Sequence, residues 1–472
     1  MNANIKRYGA VLSLYKKEDQ EDQRVGTNGF RTFLFIWLGQ LVSIVGSGLT
    51  AFALGVWVLE ETGSVTMFSL ILLFSTFPAI VFSPFAGVIV DRFDRRKVMI
   101  ISDSIAGLGT LLIFALYSTN SLAIWHLYII LSISSVASSL QFPAYQAAVS
   151  TLVSKAHLGR ASGMVQIAES VSLVISPILA GVLFKLIDLH GIVIVDFSTF
   201  LVALFTLLFI RIPTPANSDE KEKSNKSMLQ EAAFGWRYII ERPGLKWLLV
   251  FFAVSNFLLG FYNILLQPYV LSFTDETVLG MVISCLGIGM LLGGLLMSVW
   301  GGPQKRIRGL LGFGFLSDLA LAVVGLKGSV IVVATSNAVA SFFMPITNGC
   351  SQAIWQSKVP NHIQGRVFAL RRMIGLSLSP LAYISAGPII DYVFEPAMTA
   401  NGFLADSFGP IFGVGEGRGM GLFITLIGIG WALTALLAYL HPRVKNLETE
   451  LPDNDIPVNL SRQETLDEAT EA

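Results

Sequence analysis

The sequence predicts an all-α polytopic membrane protein, with twelve transmembrane helices arranged as two pseudo-symmetric bundles of six. Three observations carry this prediction: long apolar runs, a one-sided distribution of basic residues, and an internal repeat. Of the 472 residues, 53% are hydrophobic and only 14% are charged. About a dozen runs reach the ~20 apolar residues that cross ~30 Å of hydrocarbon. They lack the alternating polarity of barrel strands, so helices are predicted.

Short polar breaks such as Glu60-Glu61 and Asp188-Leu189-His190-Gly191 separate most of the apolar runs. The segment between Glu395 and Arg418 is predicted to be a mobile loop. With these breaks, the predicted spans are 33–58, 66–90, 98–117, 124–148, 163–187, 192–211, 246–271, 278–300, 309–327, 329–352, 367–393 and 419–440.

Basic residues give the expected orientation. All but three of the 32 Lys and Arg residues fall in the termini or in loops on one side, and the exceptions are Lys185, Lys327 and Arg418. Because cytoplasmic loops carry the excess of Lys and Arg, both termini are predicted to be cytoplasmic. The chain is therefore expected to be a multi-pass protein of the plasma or inner membrane. Its net charge of zero gives no indication of a nucleic-acid partner.

The two halves repeat three short motifs in the same order. Phe142-Pro143, Gly159-Arg160 and Ser176-Pro177 in the first half are echoed by Met344-Pro345, Gly365-Arg366 and Ser379-Pro380. Such duplication is common in transporters that place a site between two repeats. The predicted organisation is a cytoplasmic segment at 1–32, a first bundle at 33–212, a cytoplasmic linker at 213–245, a second bundle at 246–441 and an acidic cytoplasmic tail at 442–472. Within the linker, an amphipathic helix is predicted to begin at Met228.

The most highly charged stretch lies between the second and third spans. Its pattern, Gly87-x-x-x-Asp91-Arg92-x-x-Arg95-Arg96, resembles the signature of the major facilitator superfamily. The resemblance extends over nearly the whole chain, through the twelve spans and the long central loop.

The first span and the residues after it add a second resemblance. Trp37-Leu-Gly39-Gln40-x-x-Ser43-x-x-Gly46 and Thr62-Gly63-Ser64 are similar to the branch of macrolide and enterobactin exporters. This branch implies a secondary active exporter of an amphipathic small molecule. The expected partners are this substrate and the lipid bilayer, and the chain is expected to be a monomer.

The family resemblance implies that the charged stretch is a gate. Asp91 would cap the start of the eleventh span, where a carboxylate is favoured by the helix dipole, and Arg95 would pair with a carboxylate. Residues 141–154 contain no acid, so Asp103 or Glu169 would have to serve Arg95. Asp94 stands where the family usually has glycine. Gly87 and Arg92 complete the motif, while Arg96 is expected to anchor the loop.

Acidic residues inside the spans are functional candidates, because ionisable groups are expensive in hydrocarbon. Glu169, Asp196 and Asp103 are the candidates for proton coupling. Each has a structural alternative. Asp196 could be a hydrated residue near the membrane surface, Glu169 could pair with Arg160 or Arg95, and Asp103 could neutralise nearby basic side chains.

Uncharged polar side chains in the first, fourth, seventh and tenth spans could line a cavity, since the resemblance places these spans around the central path. Each could equally be a contact between helices. The candidates are Gln40, Ser43, Gln141, Tyr145, Asn256, Tyr262, Asn263, Gln267, Asn337 and Asn348.

Signatures of catalysis are missing from the sequence: it contains no G-x-x-x-x-G-K-[ST], H-E-x-x-H or G-x-S-x-G. No enzyme activity, cofactor or metal is therefore expected. The predicted function is export of an amphipathic drug, siderophore or other secondary metabolite, driven by antiport with the proton gradient. The alternatives are movement of a lipid or lysolipid and, less favoured, a non-transporting receptor or scaffold.

Overall fold

The computed structural model describes residues 2–153, 158–210, 236–359 and 364–451, and the side chains of residues 2–28 lie outside this description. Every regular element in these ranges is helical, which confirms the predicted fold class. A helix satisfies its backbone hydrogen bonds internally, as hydrocarbon requires. Most of the predicted linker, with the amphipathic helix from Met228, and most of the acidic tail lie outside the described residues.

Five helices form the first half. They are α1 (Asn2–Thr62), α2 (Val65–Arg92), α3 (Arg95–Ser118), α4 (Ile124–Leu152) and α5 (Leu158–Phe209). The 52 residues of α5 are far more than one crossing needs. The loop predicted at 188–191 is instead a bend within this helix, where Asp188 has φ 56° and ψ −177°. The described residues contain eleven helices long and apolar enough to cross a membrane. Because α5 crosses twice, they make twelve crossings.

The second half begins with α6 (Pro243–Leu271), α7 (Glu276–Trp300), α8 (Arg306–Val324) and α9 (Val330–Lys358). The eleventh span is assembled from α10 (Gln364–Ser377), α11 (Ser379–Ile389), a π-helical turn (Ile390–Phe394) and α12 (Glu395–Ala397). After it come α13 (Ala405–Phe412), α14 (Arg418–Leu440), α15 (Pro442–Lys445) and α16 (Leu447–Glu450).

The connection predicted as a mobile loop at 395–418 is largely structured. It contains α12 and α13, and the Glu395 carboxylate links its two ends. The carboxylate accepts hydrogen bonds from the backbone N–H groups of Gly417 at 3.0 Å and Met420 at 2.8 Å. These are the first N–H groups of α14, which have no acceptor within their own helix.

The two halves meet along an interface that we call the seam, which runs between two ends of the molecule. The basic face carries Arg95, Arg96 and Lys358, and the opposite face is the other end. Near the opposite face, small residues bring the halves into backbone contact. A Cβ atom added to Gly280 would lie 2.2 Å from the carbonyl oxygen of Pro177, and one added to Gly181 would lie 2.4 Å from that of Glu276.

A salt bridge also crosses the seam at the opposite face, joining Lys185 Nζ to Asp275 Oδ2 at 2.7 Å. The Lys185 ammonium, together with the N–H of Val278, lowers the pKa of Asp275 below its usual range. The stabilisation from a lowered carboxyl pKa is present above the ordinary pKa and is lost only as the pH falls through the lowered value. The contact therefore persists between pH 5 and pH 8. Both side chains are about half exposed, so it stabilises the seam less than the close backbone contacts do.

We predict that Gly280→Ala destabilises the seam. The added methyl overlaps Pro177, and overpacking costs about 1–3 kcal/mol, which exceeds the gain of about 1 kcal/mol for replacing glycine in a helix. The melting temperature of the purified protein in nanodiscs should therefore fall. Gly294→Ala in the same helix is the matched control, because no heavy atom lies within 4 Å of its Cβ position. A similar rise in both variants would contradict the close contact.

Candidate functional site

The charged loop between α2 and α3 is built around Asp94. Its carboxylate accepts a hydrogen bond from the backbone N–H of Lys97 at 3.0 Å and so caps the start of α3. Aspartate is a preferred N-cap residue, which explains how it can replace the usual glycine. The side chains of Asp91 and Arg92 lie outside the described residues, and Gly87 has no side chain to make a contact. Their roles in the gate stay predictions.

The two arginines of this loop bind backbone carbonyl groups. Arg95 Nη1 donates to the oxygen of Ala147 at 2.7 Å, near the end of α4. Arg96 donates from Nε to Leu207 and from Nη2 to Leu208, at 2.8 and 2.6 Å, in the last turn of α5. The carbonyl groups of Leu207 and Leu208 are among the last four of α5, which lack a donor within their own helix. All three contacts attach the loop to neighbouring helices.

The expected carboxylate partner of Arg95 is not found among the described residues. Asp103 and Glu169 are both described, and neither forms a salt bridge with Arg95. Asp103 instead faces a cavity inside the first bundle, and Glu169 is exposed on α5. The expectation that either acid serves Arg95 is therefore wrong for this structure.

A cavity of about 210 Å³ lies between α1, α3, α4 and the second part of α5. Two carboxyl groups, two amides and five hydroxyl groups line it, with no basic side chain. The lining residues are Gln40, Ser43, Ile44, Ser47, Ser102, Asp103, Ala106, Gly107, Thr110, Ser138, Gln141, Asp196 and Phe200. Their spacing of three, four and seven residues on α1 and α3 is that of one helix face.

Asp103 is held at one end of the cavity by two glutamine side chains in series. Gln40 Nε2 donates to Asp103 Oδ2 at 3.2 Å, and Gln141 Nε2 donates to Gln40 Oε1 at 2.7 Å. These bonds connect α1, α3 and α4. Asp103 therefore binds an amide group of the cavity. The alternative from the sequence, in which it neutralises nearby basic side chains, does not describe this contact.

Asp196 is held at the other end by hydroxyl groups. Ser47 Oγ donates to Oδ1 at 3.3 Å, and Thr110 Oγ1 donates to Oδ2 at 3.2 Å. The residue is only 4% exposed, so the alternative of a hydrated surface position is wrong. Gly46 allows this approach, since a Cβ there would lie 3.1 Å from Asp196 Oδ1.

The two acids are arranged along a common axis. Thr110, which binds Asp196, follows Asp103 by seven residues on α3, and Ser47 follows Gln40 by seven residues on α1. Seven residues are two helical turns, or about 10 Å. The cavity therefore offers two carboxyl groups at different depths, with hydroxyl groups between them.

The remaining candidates of the first half lie apart from this pair. Ser43 lines the cavity, whereas Tyr145 is 6% exposed and belongs to the apolar core at the end of the bundle. Ser47, Thr110, Ser102 and Ser138 are cavity residues that the sequence did not single out. The seven-residue spacing from Gln40 and Asp103 was a signal that could have identified Ser47 and Thr110.

In the second half, Tyr262 and Asn337 are buried and bind each other. The Tyr262 hydroxyl donates to Asn337 Oδ1, and Asn337 Nδ2 donates to the carbonyl oxygen of Val333 at 2.9 Å. This bond joins α6 to α9 inside the second bundle. It matches the helix-contact alternative that the sequence left open.

The other polar candidates of the second half are not gathered into one site. Asn256 Nδ2 donates to the carbonyl of Phe252 in its own helix at 2.8 Å, and Asn263 and Asn348 are exposed. Gln267 reaches across the seam, where its Nε2 atom lies 2.7 Å from the Cβ position of Gly55.

The chemistry of the cavity follows from its two acids. A carboxylate in hydrocarbon is costly, so each can be neutralised by a proton or by a cationic group of a ligand. The space would hold about seven water molecules. No cluster of three or more metal-binding side chains occurs in the described ranges.

We predict that Asp94→Ala destabilises the protein by about 0.5–2 kcal/mol, because it removes the N-cap of α3. Asp94→Asn retains an acceptor for the Lys97 N–H and should be close to wild type. The free energy of unfolding can be compared by denaturant titration in mild detergent. An Asn variant as unstable as the Ala variant would show that the charge, and not the cap, is what matters at this position.

Sequence comparison identifies a family and several relatives. The family model described as Major Facilitator Superfamily matches residues 36–382. Macrolide efflux protein A of Streptococcus pyogenes is 29% identical over 367 residues, covering 76% of this chain and 90% of that protein. Macrolide efflux protein A of Enterococcus faecalis is 30% identical over 314 residues, covering 65% and 96%. The Multidrug efflux pump Tap of Mycolicibacterium fortuitum is 24% identical over 375 residues, covering 76% and 89%.

Solved structures share the fold at low sequence identity. An inward-facing bacterial homolog to the human lysosomal transporter Spinster has a TM-score of 0.67 and 15% identity, covering 90% of this chain and 98% of that one. The nucleoside transporter NupG has a TM-score of 0.68 and 10% identity, covering 87% and 99%. At these identities the likeness is one of fold alone.

Proposed function

Because this chain belongs to the major facilitator superfamily, we propose that it exports an amphipathic small molecule by alternating access, in exchange for protons. Members of this family are transporters and not enzymes, which confirms the expectation from the sequence. The chain is a multi-pass protein of the cell membrane. The identity of the transported molecule, the ion that drives its transport and the direction of transport are our proposal.

The observation that carries the proposal is the cavity with Asp103 and Asp196. It combines two acids, seven uncharged polar groups and apolar walls, with no basic side chain to neutralise the acids. A membrane interior tolerates such a group of acids only where they serve a pathway or a partner. Alternate occupation by protons and cargo would provide that partner at every stage of a cycle.

The class of cargo is supported by the relatives. Two are named for macrolide efflux and one for multidrug efflux. A mixed lining of amides, hydroxyl groups and apolar walls selects ligands through shape and a few hydrogen bonds. At about 210 Å³ the cavity is smaller than a drug-sized ligand needs, so in this state it would take only the polar or cationic group of such a molecule.

The energy source in this proposal is the proton gradient, without a cofactor. Asp196 and Asp103 are the proposed proton sites, since both line the cavity. Glu169 is the third candidate, and its exposed position on α5 makes it the less favoured one.

The proposed orientation places the basic face and both termini in the cytoplasm. In this arrangement Asp91, in the last turn of α2, caps the start of α10 and closes the basic face when the cavity opens outward. The proposed functional unit is the single chain, because both bundles are present within it.

We predict that Asp196→Asn and Asp103→Asn abolish proton-driven uptake of radiolabelled erythromycin into everted membrane vesicles. An asparagine cannot exchange a proton, so accumulation driven by an acidic lumen should fall to the level of vesicles that lack the protein. Asp318→Asn is the matched control. Its carboxyl group is also 4% exposed, but it lies on α8 and does not line the cavity.

Three results would contradict the proposal. If the wild-type protein took up erythromycin equally well with and without a pH gradient, proton antiport would be excluded. Transfer of fluorescent lysophosphatidylcholine between leaflets of proteoliposomes, without macrolide uptake, would replace the proposed cargo with a lipid. Loss of activity in Asp318→Asn alone would move the proton site to the second half.

A further inference from the structure

The Asp391 carboxylate, in the π-helical turn of the eleventh span, binds the start of α2 in the other half of the molecule. Oδ2 accepts hydrogen bonds from Ser64 Oγ at 2.9 Å, from the backbone N–H of Thr66 at 3.0 Å and from Thr66 Oγ1 at 2.7 Å. Oδ1 accepts one from the backbone N–H of Val65 at 3.3 Å. One side chain therefore gathers four donors across the seam.

Two of these four donors are backbone N–H groups that α2 cannot satisfy itself. The first N–H groups of a helix have no acceptor within it. Ser64 already caps the helix by accepting from the N–H of Met67 at 3.3 Å, which leaves Val65 and Thr66. A carboxylate there is also favoured by the positive end of the helix dipole. The other half thus completes the N-terminus of α2.

Two local features of the eleventh span make this contact possible. The π-helical turn at Ile390–Phe394 departs from the regular register of an α-helix, and such turns are frequent at functional sites. One turn earlier, Gly387 lets the backbones touch, since a Cβ atom there would lie 2.3 Å from Thr66 Cα. Among the described residues, no basic side chain forms a salt bridge with Asp391. Its counter-charge is the end of α2.

We propose that Asp391 is the gate residue of the opposite face, and that it and Asp91 form a reciprocal pair. The helix α2 and the eleventh span run antiparallel, because the start of the first meets the end of the second. Asp391 near the end of the eleventh span caps α2. Asp91 in the last turn of α2 caps the eleventh span when the basic face closes. The half of this pair that concerns Asp91 rests on the proposed function.

The reciprocal arrangement couples the two faces through one pair of helices. The donors of α2 and the carboxylate of Asp391 belong to different halves, so opening the opposite face must break all four hydrogen bonds. Charge-assisted hydrogen bonds to helix ends are stronger than neutral ones. Closing the basic face through Asp91 would offset that loss, and each face would hold only while the other is open.

The test measures the opening of the opposite face directly. Spin labels are attached at Thr119→Cys and Asn401→Cys, which are exposed positions of the first and second halves, with Cys285 and Cys350 replaced by alanine. The distribution of distances between the labels is recorded in nanodiscs by pulsed electron resonance. This measurement needs neither cargo nor a proton gradient, so failure of the proposed export function leaves it readable.

Asp391→Asn should shift the ratio of short to long label distances about tenfold towards the long distance, because it removes the charge from four hydrogen bonds. Asp391→Glu should restore part of the ratio. Thr66→Val, which removes only one donor, should give a smaller shift in the same direction and provides a second variant should Asp391→Asn not fold. A wild-type distance distribution in both Asp391→Asn and Thr66→Val would overturn the gate.

Glu395→Gln is the matched control. Glu395 lies four residues further along the same span and also binds a helix N-terminus, but that helix, α14, belongs to its own half. Its removal should leave the label distances unchanged. An equal widening in Glu395→Gln would show general loosening and would overturn the assignment to Asp391. Asp91→Asn should shift the ratio towards the short distance, and no shift would overturn the reciprocal pair.

Discussion

The open N-terminus of a helix is the constraint on which this structure depends, because its first N–H groups must find acceptors at a membrane boundary. Carboxylates supply them for five helices of the described chain. They are Asp94 for α3, Asp275 for α7, Glu448 for α8, Glu395 for α14 and Asp391 for α2. Four of these contacts each join residues of the same half, one in the first half and three in the second, and stabilise that half. The fifth joins the halves, so the interaction that builds each bundle also fastens one bundle to the other.

The sequence was sufficient for the architecture and insufficient for the grouping of the site. Apolar runs and the placement of Lys and Arg predict the spans because hydrocarbon permits few alternatives. Gln40, Asp103 and Gln141 were each recognised as unusual in a span. Their association depends on how α1, α3 and α4 are rotated about their axes, and no local pattern determines that rotation. The same limit applies to Tyr262 and Asn337, whose polar groups could have faced a cavity but face each other.

The duplicated halves have diverged in chemistry. The first half holds the polar cavity, whereas Asp318 of the second half is 4% exposed and does not line it. The second half is instead fastened at the basic face. Lys358 donates from Nζ to the carbonyl oxygens of Glu448 and Leu451, and the Glu448 carboxylate binds the N–H groups of Arg306 and Ile307. These contacts were missed because the acids after residue 442 were interpreted as a polar tail. The first half therefore provides the polar site, and the second half provides a rigid framework at the basic face.

The bend at Asp188 has a mechanical consequence. The Asp188 carboxylate accepts hydrogen bonds from the Tyr117 hydroxyl at 2.9 Å and from the N–H of Leu189 at 2.7 Å, so the bend is braced. Before it lies Gly181, in backbone contact with α7 across the seam, and after it lies Asp196 in the cavity. A flexible loop between these spans would absorb a movement of the seam. A rigid bend would instead transmit the movement. When one half rocks against the other, the displacement at Gly181 would shift Asp196 in the cavity.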